Sequence, residues 1–195
     1  MSNLTQRILT GLVYGITTIT CLIYGSVSFV FFFLVVMIIG LNEFYKLAEK
    51  LDYKPNKILT TLSSVLIFTT LLSVYTFENY TKILLALSIL SILMIFVKTL
   101  FLKSVRPFKS LASTFLAILY VAIPFSLTSL IAFESGKFEY ELILSSFVLV
   151  WLSDTGGYFI GVSFGKRKLL ERISPKKSWE GALGSIIFSI IGALF

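Results

Sequence analysis

The sequence predicts an all-α fold: a polytopic transmembrane helix bundle of about six full spans plus a partial seventh, forming one membrane-embedded domain over 1–195. Three observations predict it. Hydrophobic residues make up 56% of the chain and charged ones 14%, with a mean hydropathy of +0.93, whereas a soluble domain carries about 25% charged residues. Between Ile8 and Leu41 there is no charged residue at all. The cations that do occur sort to alternate loops. So much apolar surface has to meet lipid, where helices satisfy every backbone polar group internally.

The elements follow in order. The run from Ile8 to Leu41 exceeds one crossing, which takes about 20 residues. Tyr24-Gly25-Ser26 is its natural break, giving helices near 8–23 and 27–47. The leading MSNLTQR has one cation and no small-residue cleavage site, so the first helix is expected to be uncleaved. Further spans are expected near 58–76, 83–102, 110–133 and 141–163, then a loop over 164–179 and a last helix over 180–195. From Gly181 to Phe195 an α-helix would rise only ~22 Å against a ~30 Å hydrocarbon core. The chain is therefore expected to be the N-terminal part of a longer protein.

Loop charge sets the orientation. Arg7 precedes the first helix. Lys46, Lys50, Lys54 and Lys57 follow the second; Lys98, Lys103, Arg106 and Lys109 separate the fourth and fifth; Lys166, Arg167, Lys168, Arg172, Lys176 and Lys177 follow the sixth. All of these fall on one side of a consistent topology. Lys82 and Lys137 fall on the other, beside Glu78, Glu134, Glu139 and Glu141. The positive-inside rule then puts the N-terminus and the 164–179 loop in the cytoplasm of a cell-membrane protein. The net charge of +7 thus belongs to loops facing anionic lipid rather than to a nucleic-acid surface, and no nucleic-acid partner is expected.

Composition also limits the chemistry. The chain has no histidine, which removes imidazole as base, phosphate carrier or metal ligand. Its single cysteine, Cys21, lies in an apolar run and is expected to be a packed or lipid-facing thiol. Two stripes of small residues, Ser153-Gly157-Gly161-Gly165 and Gly181-Ser185-Ser189-Ala193, recur every four positions. Such stripes let helices approach closely, so the sixth and seventh helices are expected to pack tightly.

Chemistry concentrates between Asp154 and Gly181. Asp154 lies mid-span, where a charge costs roughly 2.5–3.5 kcal/mol even on mild insertion scales. It is either a carboxylate hydrogen-bonded to a neighbouring helix or one that faces a polar cavity and holds a divalent cation or a cation-bound phosphate; Mg²⁺ takes such oxygen ligands. Lys166 to Lys168 can serve topology alone. Ser174 is expected to cap a helix with Pro175 at its first position, placing Lys177 and Ser178 in the first turn. Lysines there oppose the helix dipole, a conflict that a bound anion would relieve, and phosphate is the obvious anion. Glu180 serves either the dipole and a lysine or the site, and Trp179 is expected in the interfacial aromatic belt. Phosphoryl and nucleotidyl transfer need mainly positioning and charge neutralisation, which suits this inventory.

In D-x-x-x-Y-x-x-G-x-x-F-G-K-x-x-L, carried by Asp154, Tyr158, Gly161, Phe164, Gly165, Lys166 and Leu169, and in S-P-K-K-S-W-E-G at Ser174–Gly181, the sequence resembles the phosphatidate cytidylyltransferase (CDP-diacylglycerol synthase) family. Weaker echoes are Asn42-Glu43-Phe44 and Tyr120-Val121. The resemblance implies a multi-pass enzyme that makes CDP-diacylglycerol and pyrophosphate from CTP and phosphatidic acid with Mg²⁺. Asp154, Lys177 and Glu180 would be catalytic, and Lys166, Ser174, Lys176, Lys177 and Ser178 would bind substrate phosphate. Asp154 would ligate the metal, with its remaining ligands beyond Phe195. CTP, phosphatidic acid and membrane lipids are the expected partners, and a homodimer is left open. The family's C-terminal signature, with its His-Gly-Gly and Asp-Arg-x-Asp elements, is absent from these residues, so 1–195 is expected to be inactive alone. The competing readings are a non-enzymatic membrane carrier or scaffold, for which no inverted repeat is visible, and a polyprenol or phytol kinase-like lipid-phosphate enzyme.

Overall fold

The computed structural model describes residues 3–101, 107–172 and 174–194. It is all-α apart from one short β-hairpin: α1 (Asn3–Ile23), α2 (Ser26–Lys50), α3 (Lys57–Thr76), α4 (Glu78–Phe101), α5 (Pro107–Ala117), a π turn (Ile118–Ala122), α6 (Ile123–Ala132), α7 (Tyr140–Phe164), β1 (Lys168–Leu170), β2 (Ser174–Ser178) and α8 (Trp179–Ala193). Five stretches are long and apolar enough to cross a membrane: α2, α3, α4, the continuous α5–α6 segment Pro107–Ala132, and α7. The sequence predicts six. The difference is at the first helix, whose qualifying apolar part, Leu9–Ile23, is too short to be counted with them. Lys103 and Arg106 lie outside the described residues, as does the side chain of Arg7.

Where the sequence predicts one domain, the packing divides the chain into two compact units, Met1–Tyr140 and Glu141–Phe195. In the first, α1 and α2 meet at the expected break. Gly25 has φ +120°, a conformation costly for any residue with a Cβ. Ser28 ties the turn by donating to the Cys21 carbonyl at 2.6 Å. Phe29, Phe33, Met37, Leu41 and Tyr45, four apart, form the buried face of α2. Phe29 and Phe33 cluster with Phe125 from the first turn of α6 and with Phe133 and Phe138 from the segment after that helix. Small hydroxyl side chains fill the rest of the core, chiefly Thr60, Ser63, Ser64, Thr70 and Ser73 of α3. They let α4 and α6 come close, and Thr70 and Ser88 bond across at 2.9 Å.

The π turn sits just before Pro124, whose ring would collide with the carbonyl four residues back in a regular helix. Widening the helix by one residue relieves that collision. Gly40 of α2 lies against it: a Cβ there would be 3.2 Å from Val121 Cγ1. At the other end of the unit the basic loops are stitched together. Lys98 donates to the Asn56 side chain at 3.1 Å, Thr114 Oγ1 accepts from the Asn56 N–H at 3.0 Å, and the Lys109 ammonium sits 5.1 Å from the centre of the Tyr53 ring.

In the second unit α7 and α8 pack through glycine. A Cβ at Gly181 would lie 2.9 Å from the Gly157 carbonyl oxygen and 3.1 Å from Gly161 Cα; one at Gly184 would lie 2.6 Å from Ile160 Cβ and 2.7 Å from the Gly156 carbonyl oxygen. Real Cβ atoms essentially never come within 3.0 Å of another heavy atom, as three of these four contacts would require, so the two backbones touch as only glycine allows.

Candidate functional site: a cationic hairpin at the end of a helix pair

The segment 164–179 is built as a hairpin, not a plain loop. β1 and β2 pair antiparallel, with Lys168 opposite Ser178 and Leu170 opposite Ser174. The two registers differ, so a bulge lies at Pro175–Lys177. Pro175 is tolerated because both strands of a two-stranded ribbon are edges. Lys166, Arg167, Lys168, Arg172, Lys176 and Lys177 are all exposed along this ribbon.

The helix start expected at Ser174-Pro175 lies four residues further on. Ser178 is the N-cap: its Oγ accepts from the Gly181 N–H at 3.2 Å, and α8 begins at Trp179. Two overlapping signals, Ser-Pro and Ser-Trp-Glu, both satisfy capping preferences, and strand pairing with β1 selects the second. Lys176 and Lys177 therefore stand in a strand, ahead of the cap, and the expected clash between lysines and a first helical turn does not arise. Ser178 is 6% exposed and its hydroxyl is committed to the cap, so its place is structural. Ser174 is half-buried at the hairpin's far pair. Trp179 is 58% exposed, as the interfacial position requires.

Glu180 closes the hairpin at its base. Its Oε2 accepts from the backbone N–H of Lys166 and of Arg167, each at 3.2 Å, and its Oε1 accepts from Arg167 at 3.3 Å. α8 has 15 residues and is not among the membrane-crossing stretches, and Glu180 lies in its first turn. Its own backbone N–H is the largest influence holding the carboxyl below the ordinary carboxylate range; desolvation opposes it, and the N–H groups of Arg167 and Lys166 and the Arg167 charge add smaller lowering effects.

Asp154 stands apart. It is exposed on α7, one turn from the exposed Tyr158, about 15 Å along the helix from its Phe164 end. Among the described residues it makes no hydrogen bond or ion pair with the hairpin. The structure thus brings Glu180 together with Lys166 and Arg167, and leaves Asp154 separate from Lys176, Lys177 and Ser174. No group of three or more His, Cys, Asp or Glu side chains among the described residues could hold a metal ion. Asp154 offers one carboxylate and Glu180 has its oxygens engaged, so these residues do not by themselves fit a resident Mg²⁺.

The sequence did not reveal Gly184 and Gly192 as contact residues, although both face the partner helix. For Gly184 the available signal was its spacing from Gly181.

A helical membrane protein with several crossings and a cation-rich hairpin at the mouth of a glycine-packed helix pair is the class that fold and site define. More specifically, the model of the cytidylyltransferase family matches residues 5–195, and the chain belongs to that family. It is 28% identical over 192 residues to a phosphatidate cytidylyltransferase of Bacillus subtilis, covering 98% of this chain and 70% of that protein. It is 38% identical over 93 residues to one of Staphylococcus saprophyticus (48% of this chain, 34% of that protein). Over 50 residues it is 52% identical to one of Haemophilus influenzae (26% and 17%). No solved structure matches the chain.

Proposed function

We propose that this protein is a phosphatidate cytidylyltransferase, a CTP-dependent nucleotidyltransferase of phospholipid biosynthesis. The observation that carries the reading is the cytidylyltransferase match across residues 5–195, which takes in the whole hairpin segment. A phosphate oxygen of phosphatidic acid attacks the α-phosphorus of CTP. A new P–O bond forms, the bond from the α-phosphorus to the bridging oxygen breaks, and pyrophosphate leaves with the electron pair. The lipid phosphate titrates near pH 6 and needs little deprotonation, so the absence of histidine is no obstacle.

What the chain must supply is placement and positive charge. Lys166, Lys176 and Lys177 project from a hairpin of fixed geometry and offset the charge of the phosphates, with Ser174 a hydroxyl donor at its far end. Asp154 keeps a carboxylate within a crossing at a cost of roughly 2.5–3.5 kcal/mol, and in this reading its reason is the reaction. The hairpin and the N-terminus face the cytoplasm, where CTP is found. The stitching of Lys54, Lys98 and Lys109 into one end of the first unit supports that orientation under the positive-inside rule.

The test offers labelled CTP and phosphatidic acid to membranes carrying the complete gene product. CDP-diacylglycerol with stoichiometric pyrophosphate is the expected result. A phosphorylated lipid alcohol would make the protein a kinase, and no CTP turnover would make it a carrier or scaffold; either result overturns the reading.

A further inference from the structure

The geometry points to Glu180 as a positioning residue: its carboxylate fixes the peptide that opens the cationic hairpin, and it neither ligates a metal nor touches the nucleotide. This inference deepens the cytidylyltransferase reading and rests on it for the reaction it serves. The Arg167 peptide unit is gripped from both sides by the first turn of α8. The Arg167 N–H goes to both Glu180 oxygens at 3.2 and 3.3 Å, and the Arg167 carbonyl accepts from the Trp179 N–H at 2.9 Å. The Lys166 N–H, one residue earlier, shares Glu180 Oε2 at 3.2 Å.

Immediately beneath, Gly165 has no room for a side chain, since a Cβ would run into the Gly161 carbonyl oxygen and lie 2.7 Å from Ser178 Oγ. The base of the ribbon is therefore closed on both strands: Gly165, Lys166 and Arg167 on one, Ser178, Trp179 and Glu180 on the other. The ammonium groups of Lys166, Lys168, Lys176 and Lys177 all hang from this closure. A carboxylate already accepting three N–H bonds has little capacity left for a cation, and turning to one would take the Lys166 and Arg167 N–H groups off their shared acceptor. A glutamate serving only the helix dipole would satisfy its electrostatics from the first turn without reaching back 13 and 14 residues.

The experiment uses the complete gene product in detergent or nanodiscs, with E180A, E180Q and E180D. Amide hydrogen exchange is read at Lys166 and Arg167, and steady-state kinetics are read against CTP and against Mg²⁺. E180A is expected to speed exchange at those two amides about tenfold and to lower kcat/KM about 100-fold, the usual scale for a misplaced binding group. E180Q keeps a carbonyl acceptor and is expected to stay within about tenfold of the parent, with E180D below it, and the Mg²⁺ concentration for half-maximal rate is expected to stay where it was. Unchanged exchange in E180A, or a tenfold rise in the Mg²⁺ requirement of E180Q, overturns the inference. If E180A does not fold, exchange in E180Q decides, with an intermediate acceleration expected and none contradicting. A parent protein that makes no CDP-lipid refutes the proposed reaction alone, because the exchange experiment still decides whether Glu180 holds the hairpin.

Discussion

The unit Met1–Tyr140 and the unit Glu141–Phe195 face the same difficulty, since lipid is as apolar as leucine and gives helices little hydrophobic reason to associate. They answer it differently. The first packs aromatic and aliphatic side chains, Phe29, Met37, Tyr45, Phe68 and Ile95, around hydroxyls that bond across helices, such as Thr70 with Ser88 and Tyr45 with Thr61. The second buries almost no side chain: Ile143, Ser178 and glycines 156, 181 and 184 are its buried residues among those described. Many exchangeable contacts hold the first, whereas the second depends on a few positions where nothing larger than hydrogen fits. A unit of the second kind tolerates little change, and it is the one that carries the charged hairpin.

The largest expected effect breaks the second unit. Gly184→Leu drives a branched side chain into Ile160 and the Gly156 carbonyl; overpacking of this kind costs about 3 kcal/mol. Thermal unfolding in detergent should show the loss, and an unchanged midpoint would remove the distinction between the units. Next in size is Lys176→Ala with Lys177→Ala. Both residues are exposed, so the fold should stand while the KM for CTP rises about tenfold, the worth of one or two charge-assisted phosphate contacts. Initial rates against CTP concentration measure it, and an unaltered KM would take these lysines out of the site. In the first unit, Thr70→Ala removes one bond among many and should cost only about 0.6 kcal/mol, the mean for such bonds in membrane helices. A loss matching that of Gly184→Leu would show that the first unit is as intolerant as the second.

The smallest effect is a pH response. The Glu180 carboxyl is held below its unperturbed value of 4.5, so its contribution to the hairpin is complete above that value and is lost as pH falls through the lower, folded-state value. Protection of the Lys166 and Arg167 amides, corrected for intrinsic exchange, should be flat from neutral pH down to about 4.5 and fall only beneath it. Protection lost near pH 6 would mean that another group holds the peptide.

The crossings were legible because hydropathy over some 20 residues integrates a strong signal, and Gly25 marked the first break by the freedom its φ requires. The glycine contact was half legible. A stripe of period four drifts about 40° per step on a helix of 3.6 residues per turn. Gly181 and Ser185 therefore lie on the contact face, while Ser189 and Ala193 rotate off it and Gly184, Phe188 and Gly192 take their place. The hairpin was not legible, because Ser, Pro and Lys read equally well as loop, cap or edge strand, and pairing between residues ten apart decided among them. The π turn left only Pro124 as its trace. Glu180 stood out in the sequence by its charge, but its partners in the structure are backbone N–H groups, which no side-chain pattern records.

The central claim is that Asp154, exposed on the glycine-packed α7, is kept at its cost because cytidylyl transfer requires it. Asp154→Asn preserves size and nearly preserves shape, so the measurement is CDP-diacylglycerol formed from labelled CTP and phosphatidic acid by the complete gene product, parent against variant at equal abundance in the membrane. A fall of at least about 100-fold in kcat is predicted. Synthesis at the parental rate would contradict the account.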